Sequence, residues 1–229
     1  MCRCLPHSIL PPFYSGAMPL KYLSSLILIL LIATTTHAQL GMQLGYNSAT
    51  FQLENNDQYV GNEAISGISF GAFYRTQGRY VAIQPTLLYT QKGARNSGLS
   101  ITRLRKYEFL RTRLNYLEVS VPVLGRVPLY KQEWWLAAGA GPYGALLKRA
   151  RAIGKEYIAG GKLVEDYSIG DTNKDHFQKW DAGISFSGSI TYFHMALGVS
   201  YDLGLMNISP RASQSIKNRN LSVHLMLLL

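Results

Sequence analysis

The sequence predicts an all-β protein: an eight-stranded antiparallel up-and-down transmembrane β-barrel with short periplasmic turns and long extracellular loops. Three observations predict it. First, long segments alternate apolar with small or polar residues at a period of two. Residues 67–93 show this best: Ile68, Phe70, Ala72 and Tyr74 fall on one face, and Ser69, Gly71, Phe73 and Arg75 on the other. Second, the connections between such segments alternate short and long. Third, the 229 residues include 21 Gly and 15 Tyr, with 16% charged residues and a mean hydropathy of +0.01. A helical membrane protein needs runs of about 20 apolar residues for each span. A disordered chain is more charged and poorer in aromatics.

The first element is a leader. The only long apolar run is LSSLILILLIA at 23–33, with Lys21 before it and Thr36-His37-Ala38 after it. That is the pattern of a secretory signal peptide starting at Met18 and cleaved after Ala38. The run is too short for an anchor. Residues 1–38 are thus expected to be an N-terminal extension and signal peptide, and 39–229 the barrel domain. Both cysteines, Cys2 and Cys4, fall in the leader. The mature chain then has no disulfide, no thiol nucleophile and no thiolate metal site. Of the formal charge of +10, Arg3 and Lys21 carry two, so the mature chain carries +8. For an exported chain the expected counter-charge is anionic lipid rather than nucleic acid.

Eight strands follow, at about 40–51, 64–76, 78–92, 113–127, 132–148, 177–188, 191–203 and 218–229. Short turns are expected at 76–78, 128–131 and 188–190. Long connections are expected at 52–63, 93–112, 149–176 and 204–217. Bacterial outer-membrane barrels split their connections this way, which places both termini and the short turns in the periplasm. In strand three Val81, Ile83, Pro85, Leu87 and Tyr89 alternate with Ala82, Gln84, Thr86, Leu88 and Thr90. Leu117, Val119, Val121 and Val123 mark the lipid face of strand four, and Ala182, Ile184 and Phe186 that of strand six. Strand seven offers Met195, Leu197, Val199 and Tyr201, and strand eight Leu221, Val223, Leu225 and Leu227. Pro85 in mid-strand predicts a bulge or a missing ladder bond. Aromatics such as Tyr89, Tyr116, Trp134, Trp135, Tyr143, Trp180, Tyr192 and Tyr201 fit interfacial girdles.

YVAIQPTLLYTQKGAR (80–95), NYLEVSVPVL (115–124) and AGAGPYGALLK (138–148) resemble the PorT-like family of outer-membrane β-barrel proteins. LGMQLGYNSATF (40–51) and SYDLGLMNIS (200–209) fit its first and seventh strands. The resemblance spans nearly all of the mature chain, and its motifs concern architecture rather than activity. The last strand ends in Leu229 instead of the family's aromatic residue. The resemblance implies an integral protein of the outer membrane of a Gram-negative bacterium. It also implies the outer-membrane assembly machinery as a partner, and a link to protein secretion through secretion-system components.

Candidate site residues form two sets. Arg75, Gln84, Glu118, Asp181, His194, Asp202 and His224 have lumen parity. Buried charges must pair, and eight strands enclose an interior that side chains fill. This set is therefore expected to be a structural polar network. Arg95, Arg103, Arg105, Lys106, Arg111 and Arg113 crowd the connection after strand three. They are expected to contact phosphates of surface lipopolysaccharide. No catalytic, cofactor-binding or metal residues are expected: His194 and His224 have lumen parity, away from the lipid face that a lipid-modifying site needs, and no EF-hand pattern occurs. The expected function is a structural or binding role at the cell surface, with outer-membrane lipids and lipopolysaccharide as partners and no nucleic acid. The alternatives are a lipid A-modifying enzyme, which needs a lipid-facing Ser/His pair at the outer rim, and a narrow channel.

Overall fold

The computed structural model describes residues 38–53, 61–76, 78–102, 105–129, 133–156, 161–172, 174–210 and 215–229. The leader expectation falls outside them except for Ala38, and so do Gln77 and Arg103. Eleven strands form: β1 (Ala38–Leu53), β2 (Gly61–Thr76), β3 (Val81–Ile83), β4 (Thr86–Thr102), β5 (Arg105–Ser120), β6 (Val123–Pro128), β7 (Trp134–Glu156), β8 (Lys162–Asp166), β9 (Trp180–Tyr192), β10 (Met195–Gly204) and β11 (Ile216–Leu228). Neighbours pair antiparallel in the order β1, β2, β4, β5, β7, β9, β10, β11. β11 then returns to β1, from Gly41↔Leu228 to Leu53↔Ile216, and closes the ring. β3 and β6 are the periplasmic continuations of β4 and β5, so the ring has eight staves. Closure leaves no unpaired edge, which a lipid-embedded sheet requires.

The two-residue period decides which side chains meet lipid. Met42, Leu44 and Tyr46 of β1 and Leu221, Val223, Leu225 and Leu227 of β11 point outward, at 43–62% exposure. Between them Gln43, Asn47, Ser222, His224 and Met226 are buried in the lumen. Gly41 lets Phe73 lie across the bore, because a Cβ there would collide with the Phe73 ring and come within 2.7 Å of the Leu227 carbonyl oxygen. Outward Trp134 stacks on Tyr192 at 4.4 Å near the periplasmic turns. Trp180 is exposed at the opposite end.

Pro85 does break its stave. β3 stops at Ile83 and β4 resumes at Thr86. The neighbouring stave breaks at Val121-Pro122, and Pro142 follows on β7. The three prolines step across adjacent staves, and each still accepts through its carbonyl: Tyr74 N to Pro85 O at 2.9 Å, Gln84 N to Pro122 O at 3.0 Å, Val121 N to Pro142 O at 3.0 Å. Proline removes a donor and leaves the acceptor, so the ladder is thinned rather than lost.

Several boundaries differ from the sequence expectation. β3 begins at Val81 rather than at 78: Arg79 and Tyr80 form a bend, and Tyr80 O still accepts from Arg126 N across to β6 at 2.7 Å. The turn between β9 and β10 is Phe193-His194, not 188–190. Gly188 reads locally as a turn former, yet it pairs with both Ala138 and Val199 in mid-sheet. Phe193 carries the turn at φ 48°, a left-handed conformation costly for a bulky residue. The expected long connections at 93–112 and 149–176 are largely ladder. β4 and β5 pair from Thr86↔Ser120 out to Thr102↔Arg105. β7 runs on to Glu156, and β8 pairs back onto it from Arg151↔Asp166 to Lys155↔Lys162. Two β-hairpins therefore extend beyond the apolar band on the extracellular side.

Candidate functional site

The lumen is filled in layers. At its extracellular end Leu114, Tyr116, Tyr143, Leu147, Phe177 and Ile208 form an apolar cluster. Tyr116 and Tyr143 were expected in the interfacial girdle, but they lie inside at 0% and 3% exposure. Trp135 also faces inward, at the periplasmic mouth beneath the Arg126 guanidinium, 4.7 Å from its ring. Below the extracellular cluster lies the ionic centre. Lys92 Nζ sits 2.6 Å from Glu118 Oε2, 3.2 Å from Asp202 Oδ2 and 4.4 Å above the Tyr143 ring. Ser185 Oγ and Asn220 Nδ2 donate to Asp202 at 2.8 and 3.0 Å. Asp181 Oδ2 accepts from Tyr143 Oη at 3.2 Å and from Asn218 Nδ2 at 2.8 Å.

Nearer the periplasm, Arg75 Nε donates to Gln84 Oε1 at 2.7 Å and its Nη1 to Thr191 Oγ1 at 3.3 Å. Phe73, Ala196, Met226 and Leu228 pack beside it. A cavity of about 40 Å³ separates the two polar groups, room for a few water molecules. His224 shares its wall and meets Ser200 Oγ through Nε2 at 2.8 Å.

The structure thus gathers Arg75, Gln84, Glu118, Asp181, Asp202 and His224 in the lumen. His194 is not among them: it is exposed in the β9–β10 turn, where its carbonyl accepts from Leu228 N at 2.7 Å. Moving the turn by four residues removed it from the strand. Lys92, the last residue of the expected third strand, is the residue that sequence reasoning missed. Two signals pointed to it. It continues the inward parity of Leu88 and Thr90, and three lumen carboxylates against Arg75 alone call for another cation.

Of the second set, Arg95, Arg111 and Arg113 lie on the outer face of the extracellular hairpins. Opposing residues of an antiparallel pair share a face. Arg95 opposes Arg111, Arg113 opposes Arg151, and Asn115 opposes Arg149. Thr112 and Leu114, of opposite parity, are buried, and the arginines are half-buried or exposed. Arg95 Nε lies 3.7 Å from Glu63 Oε2. Arg149 and Arg151 both reach Asp166, at 3.4 and 3.0 Å, and their hydrogen bonds hold its carboxyl below the usual range. Arg105 and Lys106 stand on the β5 backbone near the hairpin tip, opposite Thr102 and Ile101. The sequence reading did not include Arg149 and Arg151, because they come from a different strand that only the register brings alongside.

Two Ser/His pairs bear on chemistry. Ser200 and His224 face the lumen. Ser168 Oγ and His176 Nδ1 are 2.9 Å apart above the barrel, where the His176 ring stacks on Tyr167 at 4.6 Å. The adjoining Asp175 carboxylate accepts from Thr172 Oγ1 at 2.6 Å, which holds it below the ordinary carboxylate range. Neither pair faces the hydrocarbon. Among the described residues no three His, Cys, Asp or Glu side chains converge as metal ligands.

The chain belongs to the family described as outer membrane protein beta-barrel domain, whose profile matches residues 34–209. No curated protein matches it. Among solved structures it is similar to Ail, the attachment invasion locus protein of Yersinia pestis, at 8% identity and TM-score 0.40, covering 85% of this chain and 100% of that one. It is similar to Neisserial surface protein A at 11% identity and TM-score 0.43, covering 83% and 98%. The translocator domain of the autotransporter NalP from Neisseria meningitidis is similar at 9% and TM-score 0.34, covering 91% and 94%. Family and closed ring together make this an integral β-barrel protein of the outer membrane.

Proposed function

For this member of the outer-membrane β-barrel family, we propose a structural and binding role at the cell surface, exercised by the outside of the barrel and its extracellular hairpins. One observation carries the reading: each lumen charge is held inside the bore by an ion pair or by neutral hydrogen-bond partners, while the outer rim holds arginines that its acids do not match. Lys92, Glu118 and Asp202 close on each other within 3.2 Å under an apolar cluster. A path for ions would need that cluster and this centre to open together. Lipopolysaccharide and outer-membrane lipids are the proposed partners of the rim, and the assembly machinery is the proposed partner during insertion. The PorT-like resemblance adds a link to protein export. With this filled bore, such a role would be played on the barrel's outer surfaces and not through it.

The test is to refold the full barrel into planar bilayers, and separately to overexpress it and take mass spectra of lipid A. The reading expects no stable conductance steps and an unchanged lipid A spectrum. Stepwise conductance would replace it with a channel. A new acylation or deacylation product would replace it with an enzyme.

A further inference from the structure

Two successive rungs of the β4–β5–β7 sheet set arginine directly against arginine. One runs Glu63–Arg95–Arg111–Ile153 and the other Gly93–Arg113–Arg151–Asp166. Like charges directly opposite each other destabilise a ladder. In each rung the acid touches the outer arginine: Glu63 holds Arg95, and Asp166 holds Arg151. Arg111 and Arg113, neighbours on one face of β5, are left between them. Among the described residues neither has an ionic partner, and the Nε of each is enclosed with no hydrogen-bond acceptor. Their Cα atoms are spaced about 6.6 Å apart by strand geometry. The two acid-tethered arginines flank them, so four guanidiniums converge on one patch with only two carboxylates.

The height of this patch identifies what meets it. The outward rung through Tyr89, Leu117, Leu146 and Trp180 ends the apolar band. Arg113 stands four residues beyond Leu117 on β5, about 13 Å along a tilted strand. It shares the outward parity of Leu117 and is half-buried on the lipid-side face of the wall, just past the apolar band where headgroups begin. Guanidinium forks match phosphate oxygens bidentately. We infer that Arg111 and Arg113, flanked by Arg95 and Arg151, form a binding site for the phosphates of an outer-leaflet glycolipid headgroup. The inference rests on the surface-scaffold reading above. Bound phosphate would neutralise both like-charge rungs at once.

The sign of a stability change tests this. The full barrel is placed in phosphatidylethanolamine bilayers that contain no lipid A, diphosphoryl lipid A, or the same lipid A with its phosphates removed. Its thermal midpoint is followed by heat-modifiable migration. Without lipid A, Arg113→Gln and Arg111→Gln should be as stable as the parent or more so, because each relieves a repulsive rung. With diphosphoryl lipid A the order should invert, and the double variant should hold the lipid at least tenfold more weakly. Arg79→Gln, an equal charge change at the periplasmic rim, should have no effect. Equal stabilisation by the dephosphorylated lipid, or equal weakening by Arg79→Gln, would overturn the site. Inorganic pyrophosphate shifting the midpoint in lipid A-free bilayers as far as lipid A does would overturn the lipid assignment. Each of these outcomes leaves the absence of conductance, and hence the scaffold reading, separately measurable.

Discussion

Lys92→Met is the sharpest test of how the barrel is held together. Lys92 is 0% exposed and, among the described residues, is the only cation paired with Glu118, itself 3% exposed. Its loss leaves Glu118 without the ammonium and Asp202 with only the Ser185 and Asn220 donors. Removing one member of a buried ion pair costs about 3–5 kcal/mol, mostly from the charge left behind. The Tyr143 ring also loses its cation, which adds about 1 kcal/mol. At a urea slope of about 1–3 kcal/mol per molar, the unfolding midpoint should fall by at least 1 M. Tryptophan fluorescence of barrel refolded in detergent micelles reads this, and heat-modifiable migration confirms that the variant folds. The double variant Lys92→Met/Glu118→Gln should recover most of the loss, because Asp202 keeps its neutral donors. A single variant within about 1 kcal/mol of the parent, or a double variant as unstable as the single one, would show that the ionic centre does not stabilise the fold as described.

Further tests address local features. Pro85→Ala should change stability by less than about 1 kcal/mol in the same urea titration, because the stave is already broken there and Pro85 O already bonds Tyr74 N; a large gain would mean that the proline strains the ladder. Gly41→Val should cost about 1–3 kcal/mol by overpacking against Phe73, and Phe73→Leu should relieve part of it. Asp166, held below the usual carboxylate range by Arg151 and Arg149, should tie β8 to β7 above about pH 4. That tie should weaken as pH falls through the lowered folded value. Chemical shifts of Gly154 and Val164 should report this, and Asp166→Asn should abolish the pH dependence.

The alternation in the sequence was enough to specify which residues face lipid. A bilayer offers no partner to a polar group, so Leu44, Leu117, Leu197 and Leu225 can point only one way once a strand is assumed. The even number of staves, the inward Glu118, Asp181 and Asp202, and the break at Pro85 all follow from residues two apart or from proline's missing donor. The register across strands is a different kind of information, set by pairing between segments far apart in the chain. It put Gly188 in mid-sheet and His194 in a turn. It extended β4, β5 and β7 past residues that read as loops, and carried Lys92 into the bore. It also aligned Arg111 with Arg95 and Arg113 with Arg151. Local pattern determined the two faces of this wall. Only the closed sheet, where each strand's position is fixed by both of its neighbours, decided which charges meet inside it and which stand together outside.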